Sequence, residues 1–300
     1  MRIVTSGCGF VDIDAYAGMI AYTHLLNLKG IPAKAVTTST LNESITPSLL
    51  DLDVKLDTYQ KTDDDEFVII DVSNKDFFDE MVDTSKVVEV IDHHYGCEKY
   101  WKSILHEKAK IEFIGAVATL ILEEYEKEGM VSHLSKDMAT LLVAGILDNT
   151  LDLKSKITTQ RDIDAYYKLS KIANLPDDFT EKYFLECQKS IENDLVKAIE
   201  NDVKERVSDV VPRVMGQLVL WSKEFVIDNK DILYNTLDRL GKTWMFNLIS
   251  LKDGKSYLIV NDEKYKRNFE QLFNKKFEGD MMELDDLWLR KEILKKAGVA

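Results

Sequence analysis

Apolar runs that each stop on a carboxylate constrain this chain most. FVII (67–70) ends at Asp71, VVEVI (87–91) ends at Asp92, and MATLLVAGIL (138–147) ends at Asp148. The first two are β-branched and short, so they read as buried strands. Segments with helical spacing lie between such runs. From Asp14 the apolar positions Ala15, Met19, Ile20 and Leu25 to Leu28 follow a helix that closes at Gly30 and Pro32. KIEFIG reads as a strand and leads into the helix AVATLILEEYEKEG. Ser135 and Asp137 open the helix carrying MATLLVAGIL, and Thr159 caps one over QRDIDAYYKL. MRIV and AKAVTT supply further short strands. Strands alternating with helices predict an α/β fold with a parallel sheet and helices on both faces. Ligands of such sheets bind beyond the carboxyl ends of the strands, the edge that Asp71 and Asp92 would occupy.

The pattern changes near NLPDDFTEKYF. IENDLVKAIENDVKERV reads as a charged helix, and strands are predicted at VVPRVMG, QLVLWS, TWMFNLISL and KSYLIVND. Helices are predicted at NKDILYNTLDRLG and EKYKRNFEQLFN. The expected organisation is a first domain over 1–185, a helical linker over 186–205 and a smaller mixed α/β domain over 206–300. No internal repeat or low-complexity tract interrupts this plan.

The formal net charge of −14 argues against nonspecific nucleic-acid binding, which leans on Lys and Arg neutralising phosphates. Three cysteines, Cys8, Cys97 and Cys187, are too few and too dispersed for a disulfide framework. MRIVTSG has no signal-peptide pattern, and no run reaches the roughly 20 apolar residues of a membrane span. A cytoplasmic location is therefore expected.

The carboxylates and imidazoles that end apolar runs are Asp12 and Asp14 in GFVDIDAY, Asp71, the trio Asp92-His93-His94, and Asp148. A carboxylate after such a run is costly to bury without a partner. Several on one sheet edge would repel one another, and divalent cations relieve that repulsion. Mixed carboxylate and imidazole donors suit Mn²⁺, Mg²⁺, Zn²⁺ or Fe²⁺. Each piece also has a plainer reading. Asp12 and Asp14 could be an N-cap with a charged first turn, Asp71 a turn residue, His93-His94 a surface loop, and Asp148 a helix end.

Taken in order, GFVDIDAYAG, VIIDVSN, VIDHHYG and GILDNTLDLKSKITTQRD resemble the four motifs of the DHH phosphoesterase superfamily. The fourth is similar to the version in family II (manganese-dependent) inorganic pyrophosphatases and their exopolyphosphatase relatives. The chain lacks the glycine-rich motif of superfamily members that cut nucleic acids or dinucleotides. WLRKEILKK and NDVKERV instead resemble the phosphate-binding segments of the pyrophosphatase accessory domain. The resemblance implies two metals, Mn²⁺ foremost with Co²⁺ also admissible, and a bridging water activated to attack phosphorus. Asp14, Asp71, His93 and Asp148 would hold one metal, with Asp12 left for the other and Asp71 bridging.

His94 would donate to a phosphate oxygen, Asp92 would orient the imidazoles, and Lys204, Arg290 and Lys291 would grip phosphate. The implied substrate is pyrophosphate or short polyphosphate, and a homodimer stays open. Cys8 stands where the family carries His. As a thiolate it would suit a softer metal, and as a thiol it reads as a small buried residue. Two other functions remain. One is a phosphodiesterase acting on short oligonucleotides or nucleotide-derived substrates. The other is a degenerate member that binds metal or phosphate without catalysis.

Overall fold

The computed structural model describes residues 1–299. They divide into two compact units, one of Met1–Leu153 with Ile157–Phe179, the other of Lys154–Lys156 with Thr180 onward.

The first unit is built on a five-stranded, all-parallel sheet. Its strands are β1 (Arg2–Thr5), β2 (Ala33–Ala35), β3 (Glu66–Ile70), β4 (Val87–Asp92) and β5 (Ala109–Ile111). Their spatial order is β2-β1-β3-β4-β5. The chain reverses its direction of travel across the sheet between β1 and β3, so a crevice opens at the carboxyl ends of those two strands. The predicted parallel sheet is present, although KIEFIG contributes only its first residues to β5.

One face of the sheet buries Ile3, Phe67, Ile69, Val87 and Val90 against Trp101. Trp101 comes from α2 (Glu98–Leu105), and its indole N–H donates to the Ser73 carbonyl at 2.6 Å. The other layer contains α1 (Ile13–Leu28), α3 (Val117–Lys127), α4 (Lys136–Thr150) and α5 (Gln160–Ala173). α1 packs against both α3 and α4. It is buried on nearly every side, which is why its apolar residues crowd rather than form a stripe.

Burial of this layer has an electrostatic consequence. The Tyr22 hydroxyl of α1 donates to Glu89 on β4 at 2.6 Å. Burial raises the Glu89 carboxyl above its ordinary value of 4.5; the Tyr22 hydrogen bond opposes the shift, and the Glu124 charge adds to it. A raised carboxyl holds its proton more tightly folded than unfolded, so its cost to stability grows as pH climbs past 4.5. Glu89→Gln keeps an acceptor for Tyr22 without the charge. Its melting temperature should match that of the wild type in acid and exceed it progressively toward neutral pH. Parallel melts across that range check this.

The second unit carries a mixed sheet of β6 (Lys204–Glu205), β7 (Val214–Leu220), β8 (Trp244–Ser250), β9 (Lys255–Val260) and β10 (Met281–Leu284), in the order β10-β9-β8-β7-β6. The two predicted strands VVPRVMG and QLVLWS are one strand, β7. It pairs in parallel with β8 residue for residue, from Val214↔Trp244 to Leu220↔Ser250. β10 was not foreseen, because MMELDD is short and acidic; it pairs antiparallel with β9.

The segment expected as one charged helix, a linker or the opening of the second domain, is two helices. α6 (Phe179–Asn193) stops, and Asp194 caps a new helix, α7 (Leu195–Asp202), by accepting from the Lys197 N–H. Ile191, Leu195, Ala198 and Ile199 are buried in the core with Leu218, Leu233 and Phe246. Their spacing forms an apolar stripe beneath the charged residues, so this segment is part of the second unit's core.

Arg290 opens α8 (Arg290–Lys296) and is 7% exposed. Its guanidinium donates to the carbonyls of Asp202 and Met215 at 2.5 and 3.0 Å and to Asp202 Oδ1 at 2.9 Å. It ties α8 to the end of α7 and to β7. Arg290→Met should leave these acceptors unmet and destabilise the second unit by about 2 kcal/mol. The shift in urea midpoint measures it.

Candidate metal centre

Asp71 immediately follows β3 and adopts φ +64°, the left-handed region that Asp tolerates better than most residues. Its N–H still donates to the Ile91 carbonyl of β4 at 2.9 Å, so the chain stays in register as it turns. The Asp71 side chain is thereby delivered to the carboxyl edge of the central strands.

β4 ends one strand over. Asp92 Oδ1 accepts from the backbone N–H groups of His93 and His94 at 2.7 and 3.1 Å and from His94 Nδ1 at 2.8 Å. The strand therefore closes on a tight turn organised by Asp92. Burial pushes the Asp92 carboxyl upward; His94, His93 and the Ser73 hydrogen bond outweigh it and leave the group below the usual carboxylate range.

His93 is held differently. Its Nδ1 lies 3.0 Å from the Ile114 carbonyl. A carbonyl only accepts, so Nδ1 carries the proton and the lone pair of the neutral ring resides on Nε2. That atom lies 3.2 Å from Asp71 Oδ1 and 4.0 Å from Asp14 Oδ2. Three electron-rich atoms from distant parts of the chain thus face one point, and a cation there would turn their repulsion into attraction. Among the described residues, Asp71, His93 and His94 offer donor atoms that all lie within 4.8 Å of one another. Imidazole and carboxylate donors fit Mn²⁺ or a related divalent ion.

Asp14, in the first turn of α1, is fully buried. Its Oδ2 accepts from the Val117 N–H at 2.7 Å and its Oδ1 from the Ala118 N–H at 2.9 Å. The amino end of α3 thus partly balances a buried negative charge. Burial still raises the Asp14 carboxyl well above the ordinary range; Asp71 and Asp12 add to the shift and the two N–H groups oppose it. Behind Asp14 stands Gly145 of α4. A Cβ there would come within 2.9 Å of Asp14 Oδ1 and 3.1 Å of its Cα. The loop before α3 is equally tight. Asp162 accepts from the Gly115 and Ala116 N–H groups and from the Thr119 hydroxyl, and a Cβ on Gly115 would meet Asp162 at 2.8 Å. This loop carries the Ile114 carbonyl that sets the His93 tautomer.

The other expected residues are placed as follows. Asp12 is the N-cap of α1, accepting from the Ala15 N–H at 3.0 Å. Asp148 is half-buried on α4, three residues beyond Gly145 and so on the same helix face. Cys8 is exposed, not buried, and its N–H donates to the Phe77 carbonyl. Cys8, Asp12, Asp14 and Asp148 all lie outside the 4.8 Å group, which instead includes His94. In the second unit Arg290 is buried, Lys291 is half-buried and Lys204 is exposed. The roles of the Ile114 carbonyl, the α3 N–H groups, Gly145 and Asp162 were missed. The two glycines, both beside small-residue runs, were the available signals.

A Methanocaldococcus jannaschii protein named manganese-dependent inorganic pyrophosphatase is 28% identical over 243 residues, covering 76% of each chain. A Lactobacillus johnsonii protein named as a probable manganese-dependent inorganic pyrophosphatase is 25% identical over 294 residues, covering 94% of this chain and 92% of its own length. This chain is similar to proteins named manganese-dependent inorganic pyrophosphatase. The solved structure assigned to the family II pyrophosphatase of Methanococcus jannaschii superposes on it with a TM-score of 0.73 at 21% identity, covering 99% of this chain and 98% of the other. An exopolyphosphatase-related protein from Bacteroides fragilis matches with a TM-score of 0.52 at 15% identity, covering 98% and 89%. The fold is that of the family II pyrophosphatases. No protein-family profile matches the chain.

Proposed function

We propose that this protein is a hydrolase of phosphoanhydride bonds in pyrophosphate or short polyphosphate, dependent on Mn²⁺ or a similar divalent ion. The observation that carries this reading is the approach of Asp71 and Asp14 to the lone-pair nitrogen of His93. Asp71, His93 and Asp14 would hold the metal, with Asp148, Asp12 and Cys8 as further candidates. Bound there, a divalent metal supplies Lewis acidity and a nucleophile at neutral pH.

The chain's own groups do the rest. His94 leaves 44% of its side chain exposed and keeps Nδ1 on Asp92. With Nδ1 held by Asp92, Nε2 is the ring atom that would meet a phosphate oxygen as charge develops. The Asp92 carboxylate fixes the direction of the ring. Lys204, Arg290 and Lys291 are proposed to bind phosphate on the strength of the sequence resemblance.

The deciding experiment is phosphate release from pyrophosphate, tripolyphosphate and long-chain polyphosphate with Mn²⁺, Co²⁺, Mg²⁺ or Zn²⁺, beside a dinucleotide control. Metal-dependent release from pyrophosphate or tripolyphosphate supports the reading, and cleavage of the dinucleotide alone overturns it. The exposed position of Cys8, outside the donor group, favours a second reading in which fewer metals bind and catalysis is lost. Metal analysis separates the two: about two ions per chain supports hydrolysis, and one or none supports a binding protein.

A further inference from the structure

Residues 114–119 serve two side chains of the metal centre at once. The Ile114 carbonyl holds His93 Nδ1, and the Val117 and Ala118 N–H groups hold Asp14. The remaining donors of this segment go to a second carboxylate. Asp162, in the first turn of α5, accepts from the Gly115 N–H at 3.0 Å, the Ala116 N–H at 3.3 Å and the Thr119 hydroxyl at 2.7 Å. It also accepts from the Thr159 N–H and hydroxyl, both at 2.8 Å, in the capping box of its own helix. Five donors, none of them a cation, thus surround a carboxylate with no exposed surface. The capping box accounts for the two Thr159 contacts alone. The other three come from 43 to 47 residues away and need another reason.

We infer that Asp162 is a positioning residue of the metal centre: it fixes residues 114–119 so that the Ile114 carbonyl selects the His93 tautomer and the amino end of α3 meets Asp14. The Ile114 carbonyl and the Gly115 N–H belong to one planar trans peptide unit, in which they point in opposite directions. Asp162 grips the N–H side and His93 the carbonyl side. A carboxylate thereby acts on an imidazole through a single rigid plane, and a charged acceptor on the N–H strengthens the carbonyl as an acceptor in turn. Carboxylates that act on a metal-binding histidine fix its ring and raise its basicity, and here a peptide unit is inserted between the two. The plane has no room to rotate. A Cβ on Gly115 would meet Thr150 Cγ2 at 2.6 Å and Asp162 Oδ2 at 2.8 Å. Asp162→Asn would turn an N–H₂ group toward N–H donors and could satisfy only part of the set.

This inference rests on the metal-centre reading, and one of its readouts is independent of that reading. In the metal-free whole chain, the ring-nitrogen chemical shifts of His93 report by NMR which nitrogen carries the proton. The wild type should carry it on Nδ1. In Asp162→Asn the form protonated on Nε2 should appear, and Mn²⁺ affinity by calorimetry should fall about tenfold to a hundredfold. Thr159→Val is the comparison, because the Thr159 hydroxyl caps α5 without touching residues 114–119. It should lower the melting temperature and leave both the tautomer and the Mn²⁺ affinity as in the wild type. Thr119→Val removes one donor from the segment itself and should move both readouts in the direction of Asp162→Asn. It decides the matter if Asp162→Asn does not fold. An unchanged tautomer and affinity in the variant that folds, or an equal loss in Thr159→Val, overturns the inference. A wild type that binds no Mn²⁺ overturns the metal-centre reading, while the His93 signals still decide whether Asp162 aims the ring.

Discussion

Asp71→Asn is expected to reduce manganese-dependent phosphate release from pyrophosphate by about a thousandfold or more. The substitution is chosen because it isolates charge from conformation. At φ +64° Asn is tolerated nearly as well as Asp, so the turn out of β3 and the N–H bond to Ile91 survive. The loss falls on the oxygen 3.2 Å from His93 Nε2. An amide there offers a neutral, weaker donor and no longer offsets a divalent charge. Asp71→Ala would combine two losses, because a β-carbon without a polar group is strained in the left-handed region. Mn²⁺ titration by calorimetry and a thermal melt should accompany the assay. Weakened metal binding with an unchanged melt is the expected pattern. Wild-type turnover in Asp71→Asn would remove Asp71 from the centre.

Gly145→Ala is expected to destabilise the first unit by about 1–3 kcal/mol and to weaken Mn²⁺ binding. The usual sign is the reverse, since Ala is favoured over Gly inside a helix by about 1 kcal/mol. Here the new methyl would lie 2.9 Å from Asp14 Oδ1 and 3.1 Å from its Cα. Asp14 has little room to yield, because both of its oxygens are held by the Val117 and Ala118 N–H groups. Either α4 moves off α1 or Asp14 leaves the α3 amino end, and each outcome disturbs the carboxylate facing His93. A melt reads the first effect and a metal titration the second. A stabilised variant with normal metal affinity would show that α1 and α4 are not in close contact at this point.

Much of this was legible in linear form. β-branched runs ending on Asp71 and Asp92 placed carboxylates at the carboxyl edge of a parallel sheet, because strand length and alternation with helices are local properties. The pairing of His93 with Asp71 followed from the same logic. Other residues were misplaced for an equally physical reason. Cys8 was weighed as a ligand or a small buried residue and is exposed, since a single loop position carries no periodicity. Residues 186–205 read as a charged helix, a linker or the opening of the second domain, because their charges outnumber the stripe that Ile191, Leu195, Ala198 and Ile199 bury. Arg290 was expected to grip phosphate, and the structure adds donations from its guanidinium to Asp202 and Met215, contacts 88 and 75 residues away that no local pattern announces.

The sequence by itself determined which side chains were available and on which edge of the sheet they would emerge, because hydrophobic periodicity and strand-terminal polarity are written over a few residues. Only the tertiary structure decided which nitrogen of His93 bears the proton and how the charge of Asp14 is tolerated. Those answers come from the Ile114 carbonyl, 21 residues from His93, and from the Val117 and Ala118 N–H groups, 103 and 104 residues from Asp14. Backbone dipoles are the same at every position of every chain, so their aim appears only once the helices and loops that carry them have packed.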